Sequence, residues 1–219
     1  MLGLGWESIA QYRIPPPFFS IAPQLDKKVF TLWLKRTIKP TMRSYGGQLT
    51  LGGFDHQHCE KDISYVTLAA QTWWIFPLDG FKLGSVEVFH RRLAITSSGA
   101  SYIGVPFVYV NKIVNVLKAK RGFPPPIDCS RMHNSPNFTF SINGREYSIP
   151  SFEYIINVGD RFEDKCVVGI FSMEAPGFGP SWVLGDPFLR TFCNIHDVEN
   201  ARLGFAVAKQ SKSEKSVIY

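Results

Sequence analysis

An all-β chain carrying one short helix is the fold class this sequence predicts, and three observations carry that expectation. Short apolar runs recur along the chain, each bounded by glycine, aspartate or charged residues. The composition includes 18 Gly and 15 Pro, which interrupt helices, and 18 Phe, whose rings suit a pleated surface. A single segment keeps an apolar period of helical spacing. With 219 residues, 45% of them hydrophobic, the chain can bury the core of one large or two small domains, which excludes a disordered or collagen-like polymer.

Taken in order, Pro15 to Pro23 reads as loop, because consecutive prolines remove backbone donors and fix φ. Val29 to Leu34 is β-branched, aromatic or aliphatic throughout and reads as a strand, followed by a polar connection from Arg36 to Gly47. Gln48 to Leu51, Ile63 to Leu68, Trp73 to Leu78, Phe81 to Val88 and Arg92 to Thr96 continue a serial β pattern. The helix is expected near 107–121: Val110, Ile113, Val114 and Leu117 share one face, Pro106 sits at the start, and Lys118, Lys120 and Arg121 precede Gly122 and Pro124. Phe138 to Ile142 and Arg145 to Ile149 flank Asn143-Gly144, the signature of a type I′ hairpin turn. Trp182 to Leu184, Phe192 to His196 and Leu203 to Val207 complete the strands, and no fixed-period repeat is visible.

The net charge of +6 comes from scattered cations such as Lys27, Lys28, Arg91, Arg92, Lys118, Lys120 and Arg121, not from an aromatic-interleaved stripe, so a nucleic-acid partner is not expected. The longest near-apolar stretch, Tyr102 to Val110, is far shorter than the roughly 20 residues a bilayer crossing needs, and no membrane contact is expected. Four cysteines permit three pairings; the absence of Cys-x-x-Cys argues against ribbon and thioredoxin chemistry and favours an oxidising compartment. Met1-Leu-Gly-Leu-Gly lacks the basic and long apolar regions of an export signal, which reads as a chain whose start has been lost.

Four segments, in order, carry a resemblance. Leu2-Gly-Leu-Gly-Trp6, the strand Val29 to Leu34, Gly47-Gln-Leu-Thr-Leu-Gly-Gly-Phe-Asp55 and Trp182-Val-Leu-Gly-Asp-Pro-Phe-Leu-Arg190 resemble the C-terminal half of a pepsin-like aspartic endopeptidase of the peptidase A1 family. The resemblance runs to about Ala208. It implies a C-terminal lobe of orthogonally packed sheets at 46–208 and a remnant of the first lobe with inter-lobe strands at 1–45; beyond it, 209–219 carries Lys212 and Lys215 and little that could pack, and reads as a flexible basic tail. It also implies acid hydrolysis of peptide bonds, by two facing Asp-Thr/Ser-Gly loops, one per lobe, whose carboxylates share a proton because like charges so close cannot both ionise.

The family's second loop reads Ile-Val-Asp-Thr-Gly-Thr-Ser; here the corresponding stretch is Ile95-Thr-Ser-Ser-Gly-Ala-Ser101. Ser97 therefore falls at the catalytic Asp position, Ser98 keeps the hydroxyl that helps lock the paired loops, Gly99 keeps the turn, and Ala100 lacks the supporting hydroxyl. The expectation is a truncated, inactive homologue that retains peptide or protein binding and pairs through an exposed inter-lobe sheet. The competing expectation is an incomplete gene product of a full-length secreted or lysosomal endopeptidase, with no function of its own.

The remaining candidates are weaker. Trp73 and Trp74 resemble the family's Tyr-Trp pair near the cleft, and with Ser101 they are the candidate ligand contacts; a tryptophan in such a strand is more commonly core. Ser97 or Ser98 as the nucleophile of another hydrolase would need a histidine base, and no motif places His56, His58, His90, His133 or His196 there. His56-Gln-His58-Cys59 offers metal-ligand chemistry but reads as a surface turn, so no metal and no cofactor is expected. The resemblance implies a Cys129–Cys166 disulfide, which leaves Cys59 and Cys193 for a second. Asn137-Phe-Thr139 is a formal N-glycosylation sequence that matters only on a secretory route. The family's secreted or lysosomal habit does not fix a compartment for this chain.

Overall fold

A computed structural model describes residues 2–36, 45–159, 163–174 and 179–210. Among them the strands are β1 (Val29–Leu34), β2 (Gly47–Leu51), β3 (Ser64–Thr67), β4 (Phe76–Leu78), β5 (Gly80–Leu83), β6 (Val86–Val88), β7 (Arg92–Thr96), β8 (Ile103–Pro106), β9 (Pro126–Ile127), β10 (Phe138–Ile142), β11 (Arg145–Ile149), β12 (Ile155–Asn157), β13 (Cys166–Val168), β14 (Ile170–Met173), β15 (Trp182–Leu184), β16 (Phe192–Asp197) and β17 (Arg202–Val207). The helices are α1 (Pro17–Ile21), α2 (Phe107–Leu117), α3 (Ser151–Tyr154) and α4 (Asp186–Thr191). The all-β expectation holds. Compactness groups the chain into two units, Met1–Trp74 with Leu189–Tyr219, and Ile75–Phe188. β1 and β2, which lie on either side of residue 45, pair from Phe30↔Leu51 to Leu34↔Gly47.

The first unit is built on one antiparallel sheet in the order β2-β1-β16-β17-β3. Its strands β1 and β16 bury Phe30, Trp33, Ile195 and His196, and around Phe30 stand Phe18, Trp74 and the His196 ring, the last stacked at 4.2 Å. Trp6 packs on Trp74, whose indole N–H donates to the Leu4 carbonyl at 2.8 Å. Cys59 and Cys193 form a disulfide across 134 residues, packed with Trp33, Ile195 and Ala206. At the far end of β16, burial alone would raise Asp197, but hydrogen bonds from Asn200 and from Arg202 Nε at 2.7 Å hold its carboxyl below the usual range.

The second unit holds three sheets, β11-β10-β5-β6, β12-β13-β9 and β14-β8-β15-β7-β4. Trp182, Phe81, Phe138, Phe140 and Phe188 fill its interior with rings in tilted, stacked and edge-on contact, each fully buried. Such rings contribute through area removed from water and through quadrupole geometry. Cys129 and Cys166 form the second disulfide. The Asn143-Gly144 turn has positive φ at both residues, 49° and 74°, as the hairpin signature requires.

Several expectations are corrected. Pro15 to Pro23 is not all loop: Pro17 opens α1, where its missing N–H would have had no intrahelical partner. Trp73 to Leu78 is strand only from Phe76, because Trp74 sits at φ 59° in the turn before it. Phe81 to Val88 is two strands broken at Gly84, φ 57°. The helix stops at Leu117 and does not run to 121. Lys118 turns left-handed at φ 53°, and its N–H and that of Ala119 satisfy the last carbonyls at Val114 and Asn115. The connection at 37–44 and the tail at 211–219 lie outside the described residues.

His196 gives the first unit a pH dependence. Complete burial pushes its imidazole down from 6.5 to about 3, and backbone hydrogen bonds offset only part of that. Between those two values the unfolded chain binds a proton that the folded chain refuses, so stability falls as the pH drops, by up to about 1.4 kcal/mol per pH unit. Urea unfolding at pH 6.5 and pH 4 should show that loss, and His196→Phe should flatten the slope across the interval. The same assay should rank the disulfides: removing Cys59–Cys193 costs about 5 kcal/mol and Cys129–Cys166 about 4 kcal/mol, since the first closes the longer loop, 134 residues against 37.

Candidate functional site

The loop from Ser97 to Tyr102 joins β7 to β8, yet those strands are not neighbours. β15 lies between them, parallel to β7 through Trp182↔Ala94, Val183↔Ile95 and Leu184↔Thr96, and bridged to β8 at Val183↔Gly104. The loop therefore crosses over the end of β15, a psi-shaped arrangement. Three backbone bonds pin it: Ser97 N–H donates to Leu184 O at 3.1 Å, Ala100 N–H to Ser97 O at 3.3 Å, and Asp186 N–H to Ala100 O at 2.9 Å.

Gly185, one residue past β15, is where the chain passes under the loop. A Cβ there would lie 2.2 Å from the carbonyl oxygens of both Ala100 and Tyr102, so only glycine permits the crossing. Gly185 lies within the Trp182–Arg190 segment, where the sequence alone gives it no role; its signal, a glycine directly after a fully buried strand, becomes readable only once the loop is known to cross there.

At the tip, Ser97 is half-buried and Ser98, Gly99 and Ser101 are exposed. Ser97 Oγ accepts the Gly99 N–H at 3.3 Å, the local turn a hydroxyl makes with the amide two residues on. Its oxygen is thus turned onto its own loop, and among the described residues no histidine hydrogen-bonds to it. No residue from Ser97 to Ser101 carries a carboxyl group.

A model of the eukaryotic aspartyl protease family matches residues 1–208. The chain belongs to that family. Aspartic protease 17 of Caenorhabditis elegans is 38% identical over 96% of this chain and 54% of its own length. Cathepsin D of Dictyostelium discoideum is 32% identical over 96% of the chain and 55% of its own, and Renin-2 of Mus musculus 32% over 95% and 53%. The chain spans about half the length of the curated relatives it matches.

The other candidates, Ser101 apart, lie outside the crossing loop in this family member. Trp74 is 4% exposed and packs in the first unit's core, whereas Trp73 beside it is 52% exposed and Ser101 is exposed in the second unit. Cys59 is spent in a disulfide and cannot ligate a metal. His58 gives Nδ1 to Asp55 Oδ2 at 2.8 Å and stacks on Trp33, while His56 stands edge-on to Phe54. Asp55 also accepts the backbone N–H groups of Gln57 and His58, so the Gly-Gly-Phe-Asp segment ends in a closed turn. Among the described residues no group of three or more His, Cys, Asp or Glu is arranged around a metal position.

Gly185→Ala tests the crossing. Overpacking of this kind costs about 1–3 kcal/mol, and with backbone oxygens as the obstacle the upper end is expected. Thermal unfolding should report the loss, and amide exchange at Ser97 and Asp186 should quicken, since their bonds hold the loop to β15 and α4.

Proposed function

We propose that this chain is a non-catalytic member of its family, retaining a peptide- or protein-binding role without acid proteolysis. The observation that carries the reading is Ser97: a hydroxyl stands at the tip of the crossing loop where the family resemblance calls for a carboxylate. A serine does not ionise at any pH where a shared-proton dyad operates, so it can be neither the charged base nor the proton-holding acid. Loss of one general acid or base typically costs about 10²–10⁴ in rate, and members of a dyad lose more than pairwise arithmetic suggests.

Ala100 supports the same reading, because the hydroxyl that would steady the carboxylate is missing as well. The proposal concerns the loop and holds whatever length of chain surrounds it, since a first lobe would bring its own aspartate and leave this position unchanged. Among the described residues β2 and β3 are the edge strands of the first unit's sheet, and the same reading assigns those edges to a first lobe or another partner chain, because a strand edge can template pairing with another chain.

A four-way comparison tests it. The chain is expressed alone and fused to a related first lobe, each with Ser97 and with Ser97→Asp plus Ala100→Thr, and assayed on a denatured protein between pH 3 and 5. The expected result is cleavage only by the fused, doubly substituted protein, blocked by a transition-state peptide inhibitor. Inhibitor-sensitive cleavage by a protein that keeps Ser97 overturns the proposal, and so does an inert doubly substituted fusion that is folded and binds the inhibitor.

A further inference from the structure

We propose that Asn137 is an N-glycosylation site that takes an oligosaccharide from a lipid-linked glycosyl diphosphate. Asn137-Phe138-Thr139 is the one Asn-x-Ser/Thr sequence in the 219 residues. Asn137 is exposed and immediately precedes β10, whose alternation buries Phe138, Phe140 and Ile142 and turns Thr139 and Ser141 to the other face. Asn137, one step before Phe138, belongs with Thr139 on the outer face of that sheet.

The surroundings leave room for a sugar. Opposite Thr139 stand Ser148 on β11 and Lys82 on β5, and Lys82 is drawn to Glu146 at 3.0 Å. Nearest to Asn137 are small hydroxyls: its Nδ2 donates to Ser148 Oγ at 3.1 Å, and Ser148 Oγ and Thr139 Oγ1 are 2.9 Å apart. The amide nitrogen carries two hydrogens. Transfer forms a bond from Nδ2 to C1 of the first sugar and breaks the C1–O bond to the diphosphate. The lipid diphosphate leaves with the electron pair, and the displaced amide proton passes to a base. The second hydrogen remains, so the glycosylated nitrogen keeps one donor beside the Ser148 and Thr139 hydroxyls.

An independent observation agrees with the setting in which the donor is found. All four cysteines are paired and none is free. Full pairing in bonds that span 134 and 37 residues is the mark of an oxidising compartment, the setting in which this modification occurs.

Translation of the full chain behind a cleavable export signal, with eukaryotic microsomes, tests the assignment on the translocated, protease-protected fraction. The expected product runs heavier by one glycan, and peptide N-glycosidase returns it to the bare position while converting Asn137 to aspartate. Asn137→Gln and Thr139→Ala should run bare and Thr139→Ser should keep the glycan, with resistance of all four cysteines to a thiol reagent showing that each variant folds. Translocated wild-type chain that stays bare overturns the proposal, as does a glycan that persists on Asn137→Gln.

Discussion

Two carbonyl oxygens, those of Ala100 and Tyr102, close over the backbone at residue 185 so tightly that a methyl group there would sit 2.2 Å from each. That close approach lets β15 leave its sheet beneath the loop that β7 and β8 would otherwise make as a plain connection. Because β15 separates the two strands, the loop cannot collapse into a hairpin, and its tip is held open on three backbone hydrogen bonds. The site is thus a product of strand order first and of side chains second. Its geometry is fixed by groups that every residue owns, apart from the one position where a side chain is forbidden.

The first unit meets a different constraint. Its sheet joins strands from both ends of the chain, β1 to β3 from the start and β16 with β17 from the finish, so closing it requires ordering a long intervening segment. Closure entropy grows slowly with loop length, and the Cys59–Cys193 bond removes much of it from the unfolded state. The aromatic stack of Phe18, Phe30, Trp74 and His196 then fills the space against β1, at the expense of burying an imidazole that must stay neutral. Such a core loses stability as the pH falls below the ordinary histidine range.

Much of this was legible from residues alone. Val29 to Leu34, Arg92 to Thr96, Trp182 to Leu184 and both hairpin strands match their observed bounds, because each is a short apolar or alternating run closed by turn residues. β8 was hidden: Ile103 to Pro106 runs straight into the helix at Phe107, so one apolar stretch serves two elements and periodicity cannot divide it. β9, β12, β13 and β14 were missed for a related reason, since two to four residues held by pairing partners far along the chain carry no local pattern. The helix end was misjudged because Lys118, not a glycine, adopts the left-handed cap, at a steric cost the sequence gives no reason to expect. At the site, the loop residues were readable by family resemblance, whereas the role of Gly185 depended on a threading that no linear pattern encodes.

On the proposed reading, the separation between framework and chemistry in this loop accounts for a lost charge with the architecture kept. Leu184 O, Ser97 O and Ala100 O receive their bonds whether residue 97 is aspartate or serine, and Ser97 Oγ takes up the Gly99 N–H, which a carboxylate oxygen could accept equally well. A hydroxyl at residue 97 leaves no buried side-chain donor or acceptor of this loop without a partner among the described residues. Nothing in the folding of the second unit therefore selects against serine at this position. Membership in the family rests on a match that runs through residues 1–208 and hinges on no single side chain. On the reading proposed above catalysis would depend on the side chain at residue 97, whereas the backbone bonds that hold the loop do not involve that side chain.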